Sequence, residues 1–310
     1  MGTSPDSVAL EAICCDLCGA NDAEPLRQLC DRMFETTTQT FQLVRCRQCG
    51  LLYLNPRPPV SELGRFYRDD YAPFARHGLA ARMKAFTFRR EVAALWPLLA
   101  PPRRVIDLGC ATGELLQSIQ AHGNDNLLGI EPSAAAAASA RQRWGLEIII
   151  GTLEDAHLAP ASVDTALLAH TAEHLPSPSR TFAELHRVIK PGGAVVLWLP
   201  NANSWAARLL GDWWIGYDAP RHLYDFTPAT LARMLRQCGF DVKSIRHEWI
   251  GLEWSWALRL WFRERRPESR LNGVLAALHP ALTTAFTPMA ALAAMAQRGG
   301  RIRVVATRMQ

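Results

Sequence analysis

VIDLGCATG, residues 105–113, decides how this chain is read. Val105, Ile106 and Leu108 suit a buried strand, and Asp107 stands near its end. Gly109 and Gly113 let the backbone turn closely about a ligand before a helix opens, which is the logic of nucleotide-binding loops. The next apolar run ends LLGIEP (127–132), placing Glu131 where an acid suits the hydroxyls of a ribose. To this point a dinucleotide enzyme competes. DLGCATG departs from GxGxxG, however, opening on an acid and carrying one glycine fewer. Outward from the loop, strands, turns and helices alternate, as expected of a parallel α/β sheet. Strands are predicted at 105–108, 127–131, 146–150, 165–169 and 194–199. A helix at 228–238 stops at Gly239, and strands at 241–249 and 301–307 follow.

The 310 residues suit one catalytic domain and one small accessory domain. With 49% hydrophobic and 20% charged residues the composition is globular, which excludes a largely disordered chain. The net charge of +5 is mild, and the acids interspersed among the basic residues argue against a dedicated nucleic-acid module. The opening MGTSPDSVAL has no basic stretch followed by an apolar run, and Asp6 stands where myristoylation wants Ser or Thr. A cytoplasmic, reducing setting is therefore expected, in which clustered cysteines suggest metal before disulfides.

Six of the eight cysteines fall in the first 50 residues. Two CxxCG units, Cys15/Cys18 and Cys46/Cys49, have the spacing by which two tight turns aim four thiolates at one zinc ion. FQLVRC and LLYLNP read as short strands between and after these knuckles, so the unit predicted at 1–75 needs the metal as a staple. After NPRPP, helical stretches are predicted at 61–71 and 79–99. The second domain, 76–310, contains an odd segment at 252–300. It opens LEWSWALRLWFRERR and carries no Asp, Glu, Lys or Arg from 271 to 297. A single membrane crossing would strand the 301–307 strand away from its sheet. A helical hairpin packed on the domain, on a second subunit or on a membrane surface is expected instead, with Trp254, Trp256, Trp261 and neighbouring arginines at the interface.

From about residue 83 onward the chain resembles a class I S-adenosylmethionine-dependent methyltransferase. DLGCATG is similar to that family's first motif, while VDTALLAHTAEHLPSP and LHRVIKPGGAVVLWLPN resemble its fourth and fifth strand regions. PRHLYDFTPATLARMLRQCGF resembles a branch with small-molecule substrates, and the CxxCG units resemble a zinc-ribbon module fused to that branch. The resemblance implies a Rossmann-like seven-stranded sheet, a small N-terminal zinc ribbon and a helical insertion before the last strand. It further implies that Asp107, Gly109, Cys110 and Gly113 line the methionine part of the cofactor, that Glu131 binds the ribose, and that Pro132 sits beside the adenine. Thr152, Leu153 and Glu154 of GTLEDAHL are the implied adenine contacts, with His170 also at the cofactor.

Methyl transfer to oxygen needs an aligned nucleophile and a group that removes its proton. His170, His174 and His222 are the candidate bases, since imidazole titrates near neutrality. His222, in DAPRHLYDF, is the first choice, with Arg221, Tyr224, Trp213 and Trp214 as substrate contacts. HTAEHL also spells the H-x-x-E-H zinc-protease pattern, but it follows a strand here rather than lying on a long helix. The expected reaction is methylation of a small molecule, such as a hydroxyl of a sugar, glycan precursor or secondary metabolite. An RNA methyltransferase using the zinc module and a non-catalytic membrane scaffold are the alternatives.

Overall fold

The computed structural model describes residues 8–67 and 78–310. Its larger sheet is built on β4 (Val105–Leu108), β5 (Leu127–Glu131), β6 (Ile148–Ile150), β7 (Val163–Ala169), β8 (Ile189–Pro200), β10 (Phe240–His247) and β11 (Arg301–Arg308). The order is β10-β11-β8-β7-β4-β5-β6, parallel throughout except that β11 runs antiparallel to both its neighbours. From β4 the chain winds outward through β5 to β6, then returns to lay β7 on the other flank of β4. That reversal opens a crevice beyond the carboxyl ends of β4 and β7, where open α/β sheets bind their ligands. All four residues of β4 are buried, as a central strand requires.

The predicted strands are present with adjusted ends. β8 begins five residues before the expected 194, because a bulge opposite Val163 and Thr165 lets KPGG continue the ladder. Gly192 takes the turn there at φ 75°. The expected helix at 228–238 is α7 (Pro228–Gln237), closed at its N-terminus by a Thr227–Thr230 capping box. α2 (Gly78–Leu99) matches the second helical stretch. The first survives only as α1 (Val60–Leu63) and a single turn over Gly64–Phe66, and its remainder at 68–71 lies outside the described residues.

The N-terminal segment forms a second sheet of four strands, in the order β1 (Ala23–Cys30), β2 (Thr40–Cys46), β3 (Leu52–Leu54) and β9 (Tyr224–Asp225). β1 was not evident from sequence, since Pro25 sits inside it; an edge position and a bulge between Pro25 and Arg27 accommodate the missing N–H. β9 comes from the far end of the chain, pairing Tyr53 with Tyr224 and Leu52 with Asp225. Phe41, Leu43, Tyr53 and Leu54 of this sheet share one apolar cluster with Leu197, Leu223, Phe226 and Val304. The small sheet thus borrows a core it is too short to build alone.

The 252–300 insertion leaves the end of β10 and returns at β11, with His247 paired to Ile302. It holds three helices rather than the expected pair: α8 (Leu252–Arg265), α9 (Leu271–Ala277) and α10 (His279–Met295). No single described helix is long and apolar enough to cross a membrane; α9 and α10 reach that apolar length only together, across a 65° bend. The Trp–Arg cluster of α8 mostly packs inward. Trp256 lies between Arg259 and His279, with ring centroids 5.0 Å apart to His279. Trp254 packs against the main core, leaving Trp261 the most exposed of the three.

Candidate active site

Two sides of the crevice differ in construction. The first is the turn after β4 and the end of β5. Gly109 and Gly113 both have positive φ, 67° and 81°. A Cβ on Gly109 would stand 2.7 Å from Thr171 Oγ1, and one on Gly113 the same distance from Leu146, so this turn tolerates no side chain at either place. α3 (Glu114–Gln120) starts directly after Gly113. Glu131 accepts hydrogen bonds from the backbone N–H of Ala111 and of Ser133, each 2.8 Å, which ties the β5 end to the loop. Burial raises its carboxyl above the ordinary range, the two N–H groups partly offsetting this. Asp107 is buried, its Oδ1 has no hydrogen-bond partner, and burial beside Glu131 holds its carboxyl well above the usual value. An unpartnered acid at a strand end, aimed into a turn shaped by glycine, fits a cationic ligand group that would restore its charge.

The other implied cofactor residues fall around the same turn. Cys110 puts its thiol into the apolar cluster with Leu115 and Leu116, so only its backbone is available to a ligand. Pro132 is exposed immediately after Glu131. Thr152 is held by Asp155 through both its N–H and its hydroxyl, Leu153 is buried, and Glu154 lies 3.8 Å from Arg180. Gly151 donates to the Glu131 carbonyl at 3.2 Å, which brings that loop beside the β5 end.

The second side is assembled from distant segments. His170 follows β7 with a left-handed φ of 57°, and its Nδ1 lies 3.3 Å from Glu173 Oε1. Glu173 is buried, yet three imidazoles overcome the burial: His170 first, then His222 and His174 hold its carboxyl down at about 2. His222 donates from Nδ1 to the Gly216 carbonyl at 2.6 Å, since a carbonyl can only accept. This network assigns the proton to Nδ1 and leaves the Nε2 lone pair free, 4.0 Å from Glu173 Oε1. His174 Nδ1 lies 3.0 Å from both the Arg221 carbonyl and the Tyr67 hydroxyl; the carbonyl can only accept, so Nδ1 carries the proton, and the His174 ring meets that of His222 edge-on at 4.5 Å. Burial and the neighbouring His222 push His174 down to about 4. Glu173, His174 and His222 offer ligand atoms within 4.8 Å of one another, a spacing that also permits a metal ion.

All four expected substrate contacts are engaged within the protein. Arg221 is buried and spends all five of its N–H donors inside the protein: Nε and Nη2 on Asp218, Nη1 and Nη2 on Asp31, and Nη1 on the Phe66 carbonyl. Tyr224 is buried in the small sheet, donating to the Pro176 carbonyl and accepting from Arg57. Trp214 is core, packed edge-on against Tyr217 at 4.8 Å. Trp213 is partly exposed but is held by Glu264 and covered by Arg32 and Arg265. A crevice between these tryptophans, Leu29 and Leu260 has about 20 Å³ of room, enough for one water and not for a ring. Sequence gave no reason to single out Asp31, Asp218 or Asp225. Asp31 lies 190 residues from Arg221, and only the fold brings them together; Asp218 meets Arg221 three residues along, where nothing in the sequence marks the pair.

At the other end of the small sheet, Cys15, Cys18, Cys46 and Cys49 place their sulfurs within 4.8 Å of one another. Sγ distances are 3.4 Å for Cys15–Cys49 and 3.5 Å for Cys18–Cys46. Zinc–sulfur bonds of about 2.3 Å in a tetrahedron give edges of about 3.8 Å, so a small outward shift admits the ion. Against the effect of burial, backbone N–H groups of Cys49 and Gln48 bring the Cys46 thiol down to about 7.

The strand order and the loop between Asp107 and Glu131 define a class I methyltransferase that takes its methyl group from S-adenosylmethionine. A methyltransferase-domain family model matches residues 77–245, more than half the chain, and the protein belongs to that family. The ubiquinone biosynthesis O-methyltransferase of Pseudomonas aeruginosa is 29% identical over 165 residues, covering 49% of this chain and 69% of the relative. That of Burkholderia pseudomallei is 28% identical over 158 residues, 47% and 68% of the two chains. The crystal structure of a SAM-dependent methyltransferase from Archaeoglobus fulgidus has the same fold, with TM-score 0.50 at 17% identity over 72% of this chain and 94% of that one.

Proposed function

We propose that this methyltransferase acts on a hydroxyl of a small molecule, with His222 as general base. The observation that carries the reading is the fixed tautomer of His222: Nδ1 is committed to the Gly216 carbonyl, and Nε2 is free beside the charged Glu173. A hydroxyl presented to Nε2 gives up its proton as it attacks, and Glu173 stabilises the imidazolium that forms. Asp107 and Glu131 would hold the amino group and the ribose of S-adenosylmethionine, which when bound supplies a methyl activated by its sulfonium. Gly109 and Gly113 let the backbone approach it, and the 151–154 loop closes the adenine side. Similarity to ubiquinone-pathway O-methyltransferases agrees with an oxygen acceptor.

In the same reading the four cysteines hold a structural zinc ion, completing a zinc ribbon over 1–75. The ribbon's arginines support a small acceptor rather than RNA. Arg45 and Arg47 face Glu24 and Asp22, and Arg57 is engaged with Glu11, Pro176 and Tyr224. Leu271, Val274, Leu292 and Met295 on α9 and α10, and Leu278 between them, are exposed, with Arg265, Arg266 and Arg270 leading in. This face suits peripheral contact of a cytoplasmic enzyme with an anionic membrane. Cell extract incubated with labelled S-adenosylmethionine and enzyme, analysed by mass spectrometry, should yield a methylated small molecule. Label recovered only in RNA would overturn the reading.

A further inference from the structure

The N-terminal unit does more than sit beside the catalytic domain. Asp31, one residue beyond β1, reaches Arg221 with two hydrogen bonds, 2.5 Å to Nη2 and 3.1 Å to Nη1, and both side chains are wholly buried. The Asp31 carboxylate is itself saturated. Phe34 N–H donates to one oxygen at 3.1 Å, and the Thr36 N–H and hydroxyl donate to the other at 2.8 and 2.6 Å. The Phe34 ring covers the guanidinium, 4.5 Å from its centroid. Two forces oppose each other in such a pair, desolvation and Coulomb attraction, and only complete hydrogen bonding lets the second prevail. Here it is complete on both partners.

The main chain carries that restraint onward. The Arg221 carbonyl receives His174 Nδ1–H, and the N–H groups of Arg221 and His222 both donate to the Asp218 carbonyl, at 2.9 and 3.1 Å. Asp218 in turn grips the Arg221 side chain. Immediately after His222, the Leu223 carbonyl accepts from Leu54 of the small sheet and the chain enters β9. The Arg221 carbonyl that orients His174, and the backbone that carries His222, are thus fastened on two sides by the N-terminal unit. Asp31 lies outside the 77–245 region that defines the family.

We propose that Asp31 is a positioning residue of the acceptor site: through Arg221 it sets the placement and tautomer of His174 and, through the ring contact between the two imidazoles, the placement of His222. The inference rests on the proposed role of His222 only for its catalytic consequence, and its test needs no acceptor. The measurement is nitrogen-15 NMR of histidine ring nitrogens in the full-length protein, assigned with His174→Gln and His222→Gln. Wild type should show both rings protonated at Nδ1. Asp31→Asn should shift His174 toward a mixture of tautomers and perturb His222, while zinc content and the Kd for S-adenosylhomocysteine stay within about twofold of wild type. Thr36→Ala, which removes one donor to Asp31 and no charge, should give the same change in smaller measure, and it decides the matter should Asp31→Asn fail to fold. A purely structural Asp31 would lower Tm and leave the ring signals of the folded protein unchanged, and that result overturns the proposal. Altered tautomers with undiminished methyl transfer would uphold the positioning and overturn His222 as the base. If His222 is the base, turnover should fall about 100-fold, the scale of an ångström misplacement.

Discussion

The cofactor side and the acceptor side of the crevice solve opposite problems. The turn between Asp107 and Glu131 is local, built on adjacent parallel strands, and it leaves a buried carboxylate oxygen without a partner. The acceptor side joins residues 31, 66, 174, 218 and 221, and Arg221 has no donor to spare. An unsatisfied buried acid costs folding free energy and is retained where a ligand completes it. The saturated Asp31–Arg221–Asp218 cluster does the reverse, fixing geometry before any ligand arrives, while on the same side the Glu173 carboxylate and Asp225 Oδ2 are buried without hydrogen-bond partners. Adaptable recognition is therefore expected on the first side and preorganised proton transfer on the second.

The largest effect should come from taking away the zinc ion proposed for the four cysteines. Chelation of zinc, or Cys46→Ser, should release the N-terminal unit, since metal binding contributes on the order of 10 kcal/mol in zinc-finger peptides. The loss should reach the acceptor side through β9 and Asp31. Elemental analysis and hydrogen exchange follow it, and a folded N-terminal unit free of zinc would break the link. Next in size, His222→Asn should lower turnover by about 10²–10⁴, the usual contribution of a positioned base. Retained turnover in that variant, with loss in His174→Asn instead, would move the base to the neighbouring ring.

A smaller effect separates two buried acids within the acceptor side. Glu173 is held at about 2, below its ordinary value, so its contribution to stability is present above about pH 4.5 and fades as pH falls toward 2. Asp225 is the opposite case: burial, then Glu173 and Asp218, raise its carboxyl well above the ordinary range, and its Oδ2 has no partner. A raised carboxyl favours the fold at low pH and loses that contribution as pH rises. Asp225→Asn should therefore be close to neutral near pH 4 and stabilising by about 1 kcal/mol or more at pH 8. Thermal melts across that range check it. A variant less stable than wild type at pH 8 would show that Asp225 is charged and paired.

How much could be read from sequence follows the same division. DLGCATG and LLGIEP carry their meaning in adjacent residues, because a strand end, a tight turn and a helix start are local events. The sheet was legible through its apolar runs for the same reason. The acceptor side was legible only as a set of histidines. Arg221 reads as a substrate contact in DAPRHLYDF because nothing nearby reveals Asp31, which is 190 residues away. Tyr224 resembled a pocket residue but is a strand of the other sheet. The tryptophans of α8 suggested a membrane interface, whereas Trp254 and Trp256 are used within the fold.

Calorimetric titration of S-adenosylhomocysteine into wild type, Glu131→Ala and His222→Asn tests the division most directly. Hydrogen bonds to a charged group contribute about 1.5–3 kcal/mol each, so losing two from Glu131 should weaken binding by at least about 100-fold. His222→Asn should bind within about twofold of wild type. Unchanged affinity in Glu131→Ala, or an equal loss in both variants, would contradict the account.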